Sequence, residues 1–300
     1  MRTYFVTSDI HSFFDCFRDA LRRAGFRKTD PDHILVVCGD VFDRGNQTME
    51  VYDFIRSIPR KRRIMIRGNH EDLFKELLAK TYPDRYDFSN GTVKTFCAIA
   101  GVDQATLKSS YWYAKAASEG VDLSAYRNKP AEVWEGVRRA VRDSDAAKWI
   151  DSKEWINYAE LGRYVLVHGF VPAKLKAENE GSALWCSLDS MPASWFEYDP
   201  DWRSSEDWSE AVWGCPWKKY KAGLFAPETE MGKVLVCGHW HAYDFKMVFD
   251  HARYDTVDDI DFTPYFSDGL IAIDACTAQS GMCNVIRIQE TADGRFKLVR

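Results

Sequence analysis

No apolar run in this 300-residue chain approaches the ~18 residues that a membrane-spanning helix needs. The longest, such as Ile34–Cys38 and Val234–Cys237, are strand-sized. The amino terminus lacks the order of a secretory leader: Tyr4–Thr7 is already strand-like and Ser8-Asp9-Ile10-His11 follows at once. There is no excess of positive charge either. Forty Lys and Arg stand against 45 Asp and Glu, a net charge of −5, which argues against nucleic acid or a membrane surface as partner. The eight cysteines (16, 38, 97, 186, 215, 237, 276 and 283) form no CxxC pair, and a disulfide framework would suit a much smaller secreted chain. We read them as reduced thiols and expect a cytoplasmic protein. No internal repeat and no long linker divides the sequence. With 46% apolar and 28% charged residues it reads as one folded domain over residues 1–300.

What is present begins with alternation of strand and helix. Tyr4–Thr7, Ile34–Cys38 and Ile64–Ile66 read as strands. Between and after them, Phe13–Ala24, the stretch around Val51 to Ile58, and that around Leu73 to Leu78 carry helical stripes. Such a series predicts parallel strands with helices packed on them, and chemistry in the loops past the carboxyl ends of the strands. Residues 80–153 read as an inserted helical lobe, with substrate choice rather than chemistry expected of it. Trp155–Glu160 and Tyr164–Val167 read as two strands joined by a short turn. Residues 170–230 are irregular and aromatic, with the tryptophans from Trp195 to Trp217 read first as packing a small subdomain. Strand signals return at Val234–Cys237, Phe245–Phe249, Leu270–Asp274, Asn284–Ile288 and Phe296–Val299.

Each early strand ends in metal-ligand residue types. The first gives Asp9-Ile10-His11, the second Gly39-Asp40-Val41-Phe42-Asp43-Arg44-Gly45, the third Gly68-Asn69-His70-Glu71. Later come Val167-His168-Gly169 and Gly238-His239-Trp240-His241, so that five of only seven histidines fall in these blocks. From Asp9 to Asp40 is 31 residues and from Asp40 to Asn69 is 29, each about one strand, helix and return. Successive strands therefore deliver all three to one sheet edge. In an extended segment, side chains two apart point the same way, so Asp9 and His11 are expected to face one point, as are His239 and His241. Carboxylate, imidazole and amide together suit Mn, Fe or Zn better than Ca.

The blocks SDIHS, GDVFDRG, RGNHE, VHG and GHWH, in that order, resemble the motif series of the calcineurin-like metallophosphoesterases, and within them the phosphoprotein phosphatases of serine/threonine type. The resemblance implies an α/β fold, a β-sandwich flanked by helices, and an enzyme holding two divalent ions. It implies Asp9, His11, Asp40 and His241 as ligands of the first ion. Asp40 would bridge to a second ion held by Asn69, His168 and His239. It also implies in-line attack on phosphorus by water activated between the ions, with His70 as general acid, Asp43 orienting it and Arg44 on the phosphate oxygens. The implied substrate is a phosphorylated protein. The symmetrical diadenosine tetraphosphate hydrolases share GDVFDRG and RGNHE, which keeps a dinucleoside polyphosphate or another small phosphoester as the alternative. The resemblance leaves 80–153 and 170–230 unmatched. A second phosphate-binding cation is expected by resemblance, with Arg203 and Lys218 as candidates.

Two other readings fall on chemistry. Cys38 to Arg44 has the Cys-x5-Arg spacing of a thiol phosphatase, but Asp40 and Asp43 would sit inside its phosphate loop and repel the substrate. The acidic run Asp255, Asp258, Asp259 and Asp261 lacks the glycine and terminal glutamate of an EF-hand, and reads as a solvated loop.

Overall fold

Period-two alternation along the first strands sets the layers. In the computed structural model, which describes residues 1–105, 107, 130–183, 186–187, 190–225 and 230–299, β1 (Thr3–Thr7), β2 (His33–Cys38) and β3 (Arg63–Ile66) run parallel. Tyr4, Val6, Ile34, Val36, Cys38 and Ile66 turn to one face of this sheet, and Phe5, Leu35, Val37 and Met65 to the other. Both faces are buried, which is why these strands read as unbroken apolar runs.

The remaining strands are β4 (Trp155–Ile156), β5 (Ala159–Leu161), β6 (Tyr164–Leu166), β7 (Ala173–Leu175), β8 (Phe196–Tyr198), β9 (Val234–His241), β10 (Tyr265–Phe266), β11 (Leu270–Asp274), β12 (Ile286–Glu290) and β13 (Phe296–Val299). One six-stranded sheet has the order β13-β12-β1-β2-β3-β4, and a five-stranded sheet the order β10-β11-β9-β6-β5, with β7 and β8 a separate pair. Leu166, Val236 and Ile273 of the second sheet join Val6 and Val36 of the first in one apolar layer, so the two sheets form a sandwich. Outside the first sheet lie α1 (Phe14–Arg23), α2 (Thr48–Arg56), α3 (Asn69–Ala79), α4 (Arg85–Asn90), α5 (Thr92–Ala100), α6 (Pro130–Asp143) and α7 (Asp145–Ile150). Phe17, Ile55, Phe74, Phe96 and Trp134 are their buried anchors. Outside the second sheet, the aromatic stretch packs Trp202, Trp208 and Phe225 with Phe245. Trp202 and Trp208 are fully buried, as a packing role requires, and Tyr158 lies against both rings.

Two expectations are corrected. Trp155–Glu160 is not one strand: Trp155 and Ile156 pair with β3 at the edge of the first sheet, and the chain then crosses to the second sheet as Ala159–Leu161. Phe245–Phe249 is the second half of a helix, Ala242–Phe249, which buries Ala242 and Phe245 on one face, a helical i, i+3 spacing that the short apolar run concealed. Of the inserted lobe, residues 106 and 108–129 lie outside the described residues. Among the described residues no helix is long and apolar enough to cross a membrane, and all eight cysteines are unpaired.

Candidate metal centre

The carboxyl ends of β1, β2, β3 and β9 and His168, two residues past β6, converge at one edge of the sandwich. The His168 carbonyl accepts the Gly238 N–H at 2.8 Å within the second sheet, and Asp9 Oδ2 accepts the His239 N–H at 3.0 Å, which ties the end of β1 to β9 across the two sheets. The turns there are tight. Asp9, His11, Ser12, Asp40, Asp43, Arg44, His239 and Cys276 all have φ between 49° and 73°, a left-handed conformation costly for residues with a Cβ. Asp9 and His11 thus do not share an extended segment, contrary to the expectation from alternation; each is aimed by a left-handed turn instead. Gly39, at φ 80°, has no room for a side chain, since a Cβ would strike His168 Nδ1 and the Gly68 Cα.

Asp40 lies at the middle, 2% exposed. Its Oδ1 stands 3.4 Å from His168 Nε2, while its Oδ2 stands 3.7 Å from His11 Nε2 and 3.9 Å from His70 Nε2. One carboxylate thus faces two sets of imidazoles. Two groups able to hold an ion result, His11–Asp40–His70 and Asp40–His168–His239. Neither includes Asp9 or His241. Asp9 is buried against the His239 backbone, and its carboxyl is raised by burial and by the nearby charge of Asp274. His241 is partly exposed between Asp244 and Asp274; burial works against its charge, but Asp244, Cys276 and Asp274 together outweigh it and push its pKa up to about 11. Burial works against the Asp40 charge, but His168, His70, His11 and His239 outweigh it and hold the carboxyl low.

The second partners of the histidines fit a metal centre. His11 Nδ1 faces the Phe42 carbonyl at 3.0 Å, His168 Nδ1 the Cys38 carbonyl at 2.8 Å, and His239 Nε2 the Trp213 carbonyl at 3.1 Å. A carbonyl only accepts, so each ring commits one N–H outward and leaves the other nitrogen's lone pair free, the arrangement metal-bound histidines adopt. His168 then turns its Nε2 lone pair on Asn69 Oδ1, 2.8 Å away. The ring nitrogen and the amide oxygen thus point at one place, two atoms able to bind the same cation. The residues present therefore fit divalent ions, with Asn69, His168 and His239 around one group and His11 in the other.

His70 and Asp43 form a dyad, with Nδ1 to Oδ2 2.7 Å. Burial opposes a charged His70 ring, but Asp40 and Asp43 raise its pKa. Arg44 Nη2 lies 3.3 Å from His70 Nε2. Three further parts of this centre were not foreseen. Glu71 clasps the turns, accepting the N–H groups of Asp40 and Val41 (both 3.0 Å) and of Gly68 (2.8 Å). Thr92 and Thr95 of α5 donate to the two Asp43 oxygens at 2.7 and 2.6 Å, and Thr95 Oγ1 also accepts the Asp43 N–H. The lobe is therefore not separate from the site: its helix α5 holds Asp43 of the dyad. Thr95→Val is expected to lower stability by about 1.5–3 kcal/mol, the loss of a hydrogen bond to a buried charged group, read by urea unfolding. An unchanged midpoint would contradict that role.

A cavity of about 270 Å³ opens over these groups, walled by Arg44, Asn90, Trp213, Trp240, His241 and Asp274. Of the two candidate second cations, Arg203 is engaged elsewhere. It binds Glu160 at 2.6 Å and Glu230 at 2.9 Å and stacks on Trp202, so it serves packing. Lys218 lies over the Trp217 and Trp240 rings, the second of which lines the cavity. The thiol-phosphatase spacing carries nothing, since Cys38 is buried within β2 and its thiol is pushed far up by burial.

The chain thus carries two imidazole–carboxylate groups that share one aspartate at the edge of a β-sandwich. It matches the calcineurin-like phosphoesterases over residues 2–243 and belongs to that family. Among solved structures it is similar to a cold-active protein-tyrosine phosphatase from a psychrophilic Shewanella species, at 13% identity and a TM-score of 0.47, covering 100% of this chain and 81% of that one. It is also similar to a protein serine/threonine phosphatase from Saccharomyces cerevisiae (13%, 0.46, 100% and 80%) and to a metallophosphoesterase from Sphaerobacter thermophilus (11%, 0.38, 99% and 88%). No curated protein matches.

Proposed function

We propose that this chain is a phosphomonoesterase acting on phosphoserine and phosphothreonine in proteins, in the cytoplasm, with two divalent transition ions, manganese foremost. The observation that supports it most is the buried Asp43–His70 dyad at the margin of the paired metal groups, with Arg44 beside it. A serine or threonine alkoxide is a poor leaving group and needs a proton as it departs.

When bound, the ions would supply Lewis acidity to the phosphoryl oxygens and lower the pKa of water. The chain's own residues would do the rest. Arg44 forks onto phosphate oxygens, a planar geometry that a guanidinium matches. In the free protein a guanidinium can only donate, so His70 Nε2 accepts from it. Movement of Arg44 onto phosphate frees Nε2 to take a proton from solvent, Asp43 on Nδ1 favours the charged ring so formed, and the proton passes from Nε2 to the leaving oxygen as the ester bond breaks. Asp9, His11, Asp40 and His241 would hold one ion, and Asp40, Asn69, His168 and His239 the other.

Stripping the protein with a chelator should abolish turnover, and manganese should restore it; full activity without metal would overturn the reading. Substrate class is tested by comparing a phosphoserine peptide, a dinucleoside tetraphosphate and a phosphodiester on manganese-loaded protein. The peptide is expected to be fastest. A faster tetraphosphate would reassign the chain to dinucleoside polyphosphates.

A further inference from the structure

Asp274 ends β11, and the parallel register sets it opposite His241 at the end of β9. It is 3% exposed. Its Oδ1 accepts the Cys276 N–H at 2.7 Å. Its Oδ2 receives no hydrogen bond among the described residues and stands 3.9 Å from His241 Nε2, on the cavity wall that both share with Asp9. That gap is too long for a hydrogen bond. It is the separation expected of two ligands on one ion, since bonds of about 2.0–2.2 Å place such atoms roughly 3–4 Å apart. The following turn is fastened to the same place, because Thr277 Oγ1 donates to the Asp9 carbonyl at 2.8 Å. Two buried carboxylates, Asp9 and Asp274, thus line one side of the cavity together with His241, a donor set that suits a divalent ion.

We propose that Asp274 is a further ligand of the ion on the Asp9–His241 side of the centre. None of the sequence blocks contains it, and the inference rests on the two-ion reading above. Asp274→Asn is the informative variant. It keeps an acceptor for the Cys276 N–H and the same shape, but can present a poorly coordinating amide nitrogen where Oδ2 stood. Asp274→Ser is a second variant that removes both carboxylate oxygens and keeps a short acceptor.

Metal-free wild type and both variants would be titrated with Mn²⁺ by calorimetry, and their metal-free melting followed by circular dichroism. Wild type should take two ions. Each variant should take one ion normally and the other at least ~10-fold more weakly. Metal-free Asp274→Asn should melt as wild type does. Variants that bind both ions as wild type does would remove Asp274 from the centre while leaving the two-ion reading intact. The same holds if Asp274→Asn melts lower yet binds both ions normally when folded, which would make Asp274 a brace for the Cys276 turn. A wild type that takes no ion would overturn both.

Discussion

Asp40→Asn is expected to be the most damaging single substitution in the chain, lowering kcat/KM by ~10³-fold or more, about 4 kcal/mol of transition-state stabilisation. The reason is geometric. Asp40 Oδ1 faces His168 at 3.4 Å, and Oδ2 faces His11 and His70 at 3.7 and 3.9 Å. Only a carboxylate offers a negative oxygen to both groups at once. Asparagine can keep an acceptor for the His70 N–H, which Asp40 Oδ1 takes at 3.0 Å, so the fold should survive. It would turn an NH₂ donor on the other side, where an anion is needed. Metal analysis should show the loss of at least one ion per chain. A variant with two ions and near-normal turnover would remove Asp40 from its central place.

His70→Asn should act differently, slowing the chemical step by roughly 10²–10⁴-fold, the usual worth of a general acid. Its ring is held by Asp43 at 2.7 Å, and its other nitrogen faces Arg44 and the Asp40 carboxylate. The loss should be larger on a phosphoserine peptide than on a nitrophenyl phosphate, because a nitrophenolate leaves easily without a proton. Metal content should be unchanged. The structure makes this a sharp test, since His70 also lies within ligand distance of His11 and Asp40. Loss of an ion in the variant would make His70 a ligand. Equal losses on both substrates, with both ions present, would remove the proton-transfer role.

The strand ends were legible in the sequence because βαβ spacing is regular: Asp9, Asp40 and Asn69 fall about thirty residues apart and arrive at one edge. What spacing could not show was how the turns aim them. The left-handed backbone at Asp9, His11 and His239 replaces the extended geometry that alternation suggests. Thr92 and Thr95 were invisible because their partner, Asp43, lies about fifty residues away across an irregular connection. Glu71 stood inside a recognised block, yet its work is to bind backbone N–H groups of other turns, which no pattern of side chains records. The misread at Phe245–Phe249 has the same origin: a short apolar run carries no period of its own.

The shared carboxylate is the centre of the account, and electron paramagnetic resonance of the manganese-loaded protein tests it most directly. Metal-free protein titrated with Mn²⁺ should bind two ions per chain and give an exchange-coupled signal, because Asp40 would bridge the pair; a single bound ion, or two ions with independent signals, would contradict it.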